Sequence, residues 1–281
     1  MTTPEFTLLL PVYGGNSPEQ LVEAFESSVH GQSLRPTAVV VVVDGPLPPR
    51  LDAELARLVA SSPVPVDLTR LPENRGLAVA LNEGLAACRT ELVARMDADD
   101  VSAPERFARQ IPVIAERGLD VLGTGLAEFE GDVSNVVATR IPPTGSAEIR
   151  RAAAFRQPFN HPTVVYRKSA VLRAGGYPTD VGRFEDYVLF ARMLVAGAAV
   201  DNLPEPLLYY RLEGGAYGRR GGWAQFRAEL RLQRALRSVG LTTRTQRVRN
   251  TVVRAGYRLV PSRIRQALYR RAFARGERDA S

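Results

Sequence analysis

Three carboxylates close the segment Leu92-Val-Ala-Arg-Met-Asp-Ala-Asp-Asp100, where Asp97, Asp99 and Asp100 follow a short apolar run. An apolar run of this length reads as a buried strand. The acids then fall at its carboxyl end, the edge at which open α/β sheets bind ligands. Asp-x-Asp supplies hard oxygen ligands, too few to enclose a cation. That suits Mg²⁺ or Mn²⁺, which keep waters and complete their shell with substrate phosphates. The implied chemistry is metal-bridged binding of a nucleotide diphosphate.

Three further segments can share that edge. Pro11-Val12-Tyr13-Gly14-Gly15-Asn16 is a loop whose glycines permit close approach of backbone to a ligand. Asp44 ends the β-branched run 37–43. Glu73-Asn74-Arg75-Gly76 opens a helical pattern, and a helix N-terminus favours an anion. Singly, each has a plainer explanation. Gly14-Gly15 and Asp44-Gly45 are turn pairs, Asn74 can cap a helix, and an Asp-rich strand end can be a solvated loop. Their succession on consecutive strands is the specific signal.

Such a succession requires a scaffold that brings strand ends together. Residues 6–11 read as a first buried strand. Ser17-Pro18-Glu19-Gln20 is a capping box with proline at the first helical position, and the helix it starts runs to about 32. The run 37–43 is apolar on both faces, as in a parallel sheet covered by helices. A helix near 52–60, a strand near 64–71, a helix over 76–89 and the strand 92–96 follow. The alternation predicts a doubly wound, Rossmann-like sheet. Beyond it, the pattern predicts a helix over 105–117 and a strand near 120–128. Less regular signals place strands near 163–166 and 207–211, and helices near 169–174 and 185–196.

Composition sets the class. The chain has 281 residues, 45% apolar and 24% charged, enough for one large domain with an appendage. Its single cysteine, Cys88, excludes an internal disulfide framework and fits a reducing compartment. No signal-peptide pattern opens the chain and no window is apolar enough to span a membrane. The expected location is the cytosol or the inner membrane surface. Residues 219–281 carry 17 arginines against three acids, a balance of +14 in a chain of net charge +7, so the remainder is −7. Around the arginines, Val260, Ile264 and Leu268 recur at helical spacing. This basic tail fits either an anionic membrane surface or packing on the catalytic domain. Nucleic acid is disfavoured because no recognised binding signature accompanies the charge.

The succession Pro11-Val-Tyr, Val43-Asp44-Gly, Asn74-Arg-Gly-Leu-Ala-Val-Ala-Leu-Asn-Glu-Gly84, Arg95-Met-Asp-Ala-Asp-Asp100 and Pro104-Glu-Arg-Phe resembles family 2 glycosyltransferases of the GT-A fold. Within them it is most similar to the bacterial enzymes of exopolysaccharide assembly of the amylovoran type. The resemblance covers about residues 6–215. It implies a Rossmann-like mixed sheet flanked by helices, with residues 1–103 as nucleotide-binding half and 104–215 as acceptor-binding half. The sequence further predicts a basic helical extension over residues 216–281.

The resemblance also implies roles. Asp44 would hydrogen-bond the nucleobase, usually uracil, with Pro11, Val12 and Tyr13 lining the same pocket. Asn74 and Arg75 would sit beside the nucleotide. Asp99 would be the principal metal ligand, and Asp97 would contact ribose or the metal, Mn²⁺ or Mg²⁺. Glu185 and Asp186 open an apolar-periodic helix, where first-turn acids also simply complement the helix dipole. In the resembled family the Asp of such a pair is the catalytic base, which assigns Asp186 to deprotonate the acceptor hydroxyl in one inverting displacement. Glu185 would bind the acceptor or support the base. His161 and Lys168 are candidates for acceptor or phosphate contact. His30 and Cys88 read as structural, and Trp223 as an anchor for the tail. The implied partners are a nucleotide sugar, most simply a UDP-sugar, and a glycan or lipid-linked acceptor.

Two rival readings fit the residues less well. A nucleotidyltransferase would carry a basic residue in the first glycine loop, and 11–16 has none. A non-catalytic nucleotide- or glycan-binding subunit would not need Asp97, Asp99 and Asp186 together. There is no Walker P-loop, zinc-ligand spacing or Gly-x-Ser-x-Gly elbow, and Gly123-Thr-Gly125 lacks the third glycine of a dinucleotide fingerprint.

Overall fold

A computed structural model describes residues 4–212 and 223–255. It divides into two units, Met1–Leu212 and Glu213–Ser281. The first is built on strands β1 (Phe6–Tyr13), β2 (Ala38–Asp44), β3 (Val66–Arg70) and β4 (Leu92–Arg95). Helices α1 (Pro18–Phe25), α2 (Pro49–Ser61) and α3 (Leu77–Ala87) connect them. These four strands are parallel, in the order β3-β2-β1-β4. Leu8, Leu10, Val39, Val41 and Val43 pack with Leu21, Leu51 and Leu55 on one face. Leu9 and Val42 meet α3 on the other, where a Cβ at Gly84 would lie 2.3 Å from Leu9 Cδ1. Both faces are therefore covered, which is why Val39–Val43 is buried throughout.

The rest of the sheet is mixed. After the short β5 (Val101–Ser102), helix α4 (Arg106–Glu116) leads to β6 (Val121–Phe129) and β7 (Val136–Arg140). Helix α5 (Ser146–Ala153), β8 (Val165–Arg167), α6 (Lys168–Arg173), α7 (Glu185–Val195) and β9 (Val200–Arg211) complete the unit. β8 lies antiparallel between β4 and β6, and β9 runs parallel to β6. β5 and β7 pair antiparallel to β9 and β6.

Several expectations shift. The first helix is α-helical only to Phe25 and continues as a π-helical turn, Glu26–His30, with Gly31 N–H bonded to Glu26 O. The strand expected from 163 begins at Val165, because a 3₁₀ turn, His161–Thr163, precedes it. The strand expected over 207–211 starts at Val200. Pro204 and Pro206 conceal it in the sequence, yet the pairing slips between Thr124 and Gly125 there, and a bulge tolerates proline. β5, β7 and α5 are too short to carry a periodicity.

In the second unit, α8 (Trp223–Ser238) and α9 (Arg244–Asn250) are followed by a π-helical turn, Thr251–Ala255. Thr243 and Gln246 form a capping box at α9. The tail stripe Val260, Ile264 and Leu268 lies outside the described residues. None of the described helices is long and apolar enough to cross a membrane.

One contact aligns the nucleotide-side loops. Gly45 takes φ +85°, and a Cβ there would come within 2.5 Å of Asn74 N. Gly45→Ala is thus expected to cost about 1–3 kcal/mol through strain and clash. An unchanged denaturation midpoint would show that the loop yields freely.

Candidate active site

The ends of β1, β2 and β4 and the start of α3 enclose a cavity of about 540 Å³, within the usual range for a small-molecule site. Pro11, Val12, Tyr13 and Asn16 form one wall, Asp44, Asn74 and Gly76 another, and Asp97 and Asp99 a third. Tyr13 is 48% exposed, lines the cavity and lies over Gly15. The loop is tied by Asn16 Oδ1, which accepts the Tyr13 N–H at 2.8 Å.

Asp44 has a structural task at this edge. Its Oδ1 accepts the Arg75 N–H at 2.7 Å and its Oδ2 the Gly76 N–H at 2.9 Å, so β2 caps the entry to α3. Asn74 Nδ2 in turn donates to Asp44 O at 3.2 Å. Each carboxylate oxygen retains a second lone pair, which leaves acceptor capacity toward the cavity. Arg75 contributes its backbone here; its side chain is exposed and does not line the cavity.

Asp97, Asp99 and Asp100 each place an oxygen within 4.8 Å of the others. Asp97 is ion-paired with the fully buried Arg95. Burial works against the Arg95 charge and the Asp97 carboxylate outweighs it, so the guanidinium stays charged. The Asp99–Asp100 turn is clamped by Arg211 at the end of β9. Its N–H donates to Asp100 Oδ1 at 3.0 Å and its Nε to Asp99 O at 2.9 Å. Asp100 Oδ2 is buried without a hydrogen-bond partner. Burial, then the charges of Asp97 and Asp99, push the Asp100 carboxyl well up. A trio of hard oxygen donors with one buried lone pair unspent fits a divalent cation.

The acid pair opens α7. Glu185 is buried, and burial together with the Asp186 charge raises its carboxyl to about 7. Burial also raises Asp186, opposed by the Gln157 amide, the Tyr187 N–H and Arg95. The charges of Arg95 and Asp97 both act on Glu185, which sets the pair beside the carboxylate trio. His161 stands behind Asp186, its Nδ1 4.0 Å from Asp186 Oδ2 and its Nε2 3.0 Å from the Tyr177 hydroxyl. Burial and then Arg95 hold the imidazole neutral. Lys168, by contrast, is remote. It follows Arg167, which pairs with the first residue of β4, and its Nζ donates to Cys88 O at 2.6 Å and Ala86 O at 3.3 Å. It closes the end of α3 at the opposite edge of the sheet, and the expectation of acceptor contact does not hold for it.

Sequence reasoning passed over three residues of this site. Arg183 and Tyr210 line the cavity with the carboxylates, and Arg211 clamps their turn. Arg183 follows Gly182 at φ +65° immediately before the acid pair, a turn signal adjoining a charge. Tyr210 and Arg211 end β9, and only the sheet order brings them to Asp99 and Asp100.

The family model described as Glycosyl transferase family 2 matches residues 7–175. The chain is 35% identical over 270 residues to the amylovoran biosynthesis glycosyltransferase AmsE of Erwinia amylovora, spanning 94% of this chain and 97% of that protein. It is 30% identical over 279 residues to the UDP-Gal:alpha-D-GlcNAc-diphosphoundecaprenol beta-1,3-galactosyltransferase of Escherichia coli, spanning 97% and 98%. Among solved structures, the mannosyltransferase PcManGT from Pyrobaculum calidifontis, in complex with GDP-Man and Mn²⁺, superposes with a TM-score of 0.63 at 18% identity. That match covers 90% of this chain and 70% of the other. It concerns the fold, a mixed sheet flanked by helices of the GT-A type.

The raised Glu185 carboxyl gives a pH test on metal-free protein. Its folded pKa of about 7 exceeds the ordinary 4.5. Its contribution to stability is therefore complete below the lower value and is lost as pH rises through the upper one. Glu185→Gln is expected to gain in Tm relative to the wild type between about pH 5 and about pH 8. A constant difference across that range would place the carboxyl in the ordinary range.

Proposed function

The chain belongs to glycosyl transferase family 2, and from that premise we propose that it moves a sugar from a UDP-sugar to a hydroxyl of a glycan or lipid-linked acceptor in polysaccharide assembly. The observation that carries this reading is the carboxylate trio beside a cavity with an aromatic residue and Asp44 at its far side. The name of the Escherichia coli relative specifies a UDP-Gal donor and a diphosphoundecaprenol-linked acceptor. The name of the Erwinia amylovora relative specifies amylovoran biosynthesis.

In this reading Tyr13 stacks on the nucleobase, Pro11 and Val12 border it, and Asp44 accepts its ring N–H. Asn74 lies beside the ribose. Asp99, with Asp97 and Asp100, would hold Mn²⁺ or Mg²⁺, which when bound would supply positive charge to offset that developing on the departing diphosphate. Arg183 adds a fixed positive charge on the same cavity wall. Asp186 takes the proton of the acceptor hydroxyl as its oxygen attacks the anomeric carbon. The bond to the diphosphate breaks on the opposite face, inverting the configuration. Glu185 orients the acceptor or supports the base.

The catalytic domain spans residues 1–215 in this scheme, and we assign the basic extension to the anionic inner surface of the membrane. Val248, Val252 and Val253 are 59%, 68% and 51% exposed. Arg244 and Arg247 are exposed on α9, the helix of Val248, and Val252 and Val253 lie in the turn that follows it. Apolar side chains among arginines suit an interfacial position on anionic lipid.

Two experiments test these points. A thermal-shift panel of UDP, GDP, CDP and dTDP with Mn²⁺, Mg²⁺ or chelator is expected to show stabilisation by UDP with metal, of about 3 kcal/mol at a hundredfold excess over Kd. Asp99→Asn should abolish it, and a metal-independent shift would remove the trio from the donor site. Cosedimentation of the full chain with phosphatidylglycerol vesicles is expected to fall steeply between low and moderate salt. It should also weaken when Val248 and Val252 are both replaced by Ser. Equal binding by that variant would leave the valines without a membrane role.

A further inference from the structure

His161 is placed where it can direct Asp186. We propose that it is the positioning residue of the base: its Nδ1–H faces Asp186 Oδ2 and fixes the plane of the carboxylate that receives the acceptor proton. This rests on the reading of Asp186 as that base.

The geometry supplies both ends of the arrangement. The Asp186 oxygens are addressed separately. Oδ1 accepts the Tyr187 N–H at 2.6 Å, and Oδ2 is turned to His161 at 4.0 Å. Hydrogen bonds in an unloaded catalytic site are often long and tighten when substrate binds. On its other side the imidazole meets the Tyr177 hydroxyl at 3.0 Å, which lies 3.5 Å from the Tyr166 hydroxyl. Burial keeps both phenols protonated. A neutral imidazole has a single N–H, and its position follows from its neighbours. With a phenol able to donate to Nε2 and a carboxylate at Nδ1, the proton belongs on Nδ1. Tyr177 and His161 then donate in sequence toward Asp186, the single Tyr177 hydroxyl proton going to the imidazole at 3.0 Å rather than to the Tyr166 hydroxyl at 3.5 Å.

The ring is also rigidly carried. It packs against Phe190 and Tyr177, with centroids 6.0 and 5.5 Å away. Its turn is bonded on three sides: Pro162 O accepts from Arg106 at 3.0 Å, Thr163 Oγ1 from the Thr124 N–H at 2.9 Å, and Val164 O from the Arg95 N–H at 2.9 Å. His161 is thereby referenced to β4, the strand that ends in the carboxylate trio. A base oriented from that strand keeps its distance to the donor site fixed. The groups acting on Asp186 are His161 from the turn, Tyr177 from the segment before α7, Arg95 from β4, and Glu185 and the Gln157 amide beside it.

The chain has two histidines, His30 and His161, so ¹⁵N-histidine NMR on the full protein resolves each. The expected result is a neutral, Nδ1-protonated His161 from about pH 5 to about pH 8, which loses that tautomer in Asp186→Ala. An Nε2-protonated ring, or a tautomer indifferent to Asp186→Ala, would overturn the proposal. The second measurement is the Asp186 carboxyl titration by ¹³C NMR, assigned by its loss in Asp186→Asn. His161→Ala should move it up by about one pH unit, a tenfold change, while His161→Asn, which keeps a donor near the Nδ1 position, should restore it. Equal shifts in both variants would reduce His161 to packing. These readings need no substrate, so they separate from the assignment of the base. If the coupling is intact but Asp186→Asn retains UDP-sugar turnover, the base lies elsewhere and the positioning role falls with it.

Discussion

Arg95 is a cation with no access to water, and much of the site follows from how its charge is balanced. It ends β4 with its guanidinium beneath the strand tip, paired to Asp97. A buried arginine is tolerated only where charge and hydrogen bonds replace water. Its field reaches Asp97, Asp100, Glu185, Asp186 and His161. It opposes, without overcoming, the burial that raises Asp100, Glu185 and Asp186, and it adds to the burial that keeps His161 neutral. One buried charge therefore acts on both the carboxylate trio and the acid pair of α7.

A second buried arginine makes the arrangement rigid. Arg106 donates to Arg95 O at 2.6 Å, to Pro162 O at 3.0 Å and to Ser102 Oγ at 3.1 Å. Those acceptors belong to the end of β4, the His161 turn and the short β5. Gln110, one turn along α4, donates to Leu122 O at 3.0 Å and Thr163 O at 2.9 Å. α4 thus fastens the parallel nucleotide-side strands to the mixed half through buried side chains. Leaving any of these carbonyls unpaired would cost about 1–3 kcal/mol, a large part of a domain's net stability. The two halves meet at a seam where geometry is specified by polar partners, while the core on either side is specified by volume.

The sequence makes the first half legible because its constraint is local. Val39–Val43 is apolar on both faces and can only be an interior strand, and Ser17-Pro18 marks a helix start by chain stereochemistry. The trio is legible because three acids after an apolar run have few uses. What escapes is set at long range. Arg211 is bonded to Asp100 across 111 positions, and nothing near either residue records it. β9 is hidden by two prolines that only a bulge opposite Gly125 admits. Lys168 shows the reverse: its charge suggests a ligand, yet it stitches the end of α3. Arg75 adds an N–H to Asp44, a backbone role its charge does not announce. Arg95 and Arg106 stand in the very segments that carry the resemblance, and their burial is invisible to composition.

The same electrostatics link proton and cation occupancy. Asp100 and Glu185 are both raised, Asp100 by burial and its acidic neighbours and Glu185 by burial and Asp186. Without a cation, part of the negative charge at this edge is therefore cancelled by protons. A divalent ion on Asp97, Asp99 and Asp100, as proposed, would supply the opposite charge and make those protons unnecessary. It would favour the ionised form of Asp100 directly, and of Glu185 through the field it shares with Asp97. A donor diphosphate, in the same reading, would reverse part of this by adding negative charge beside the ion. Such a site would not hold one fixed charge state; it would exchange protons for cation charge at the same carboxylates.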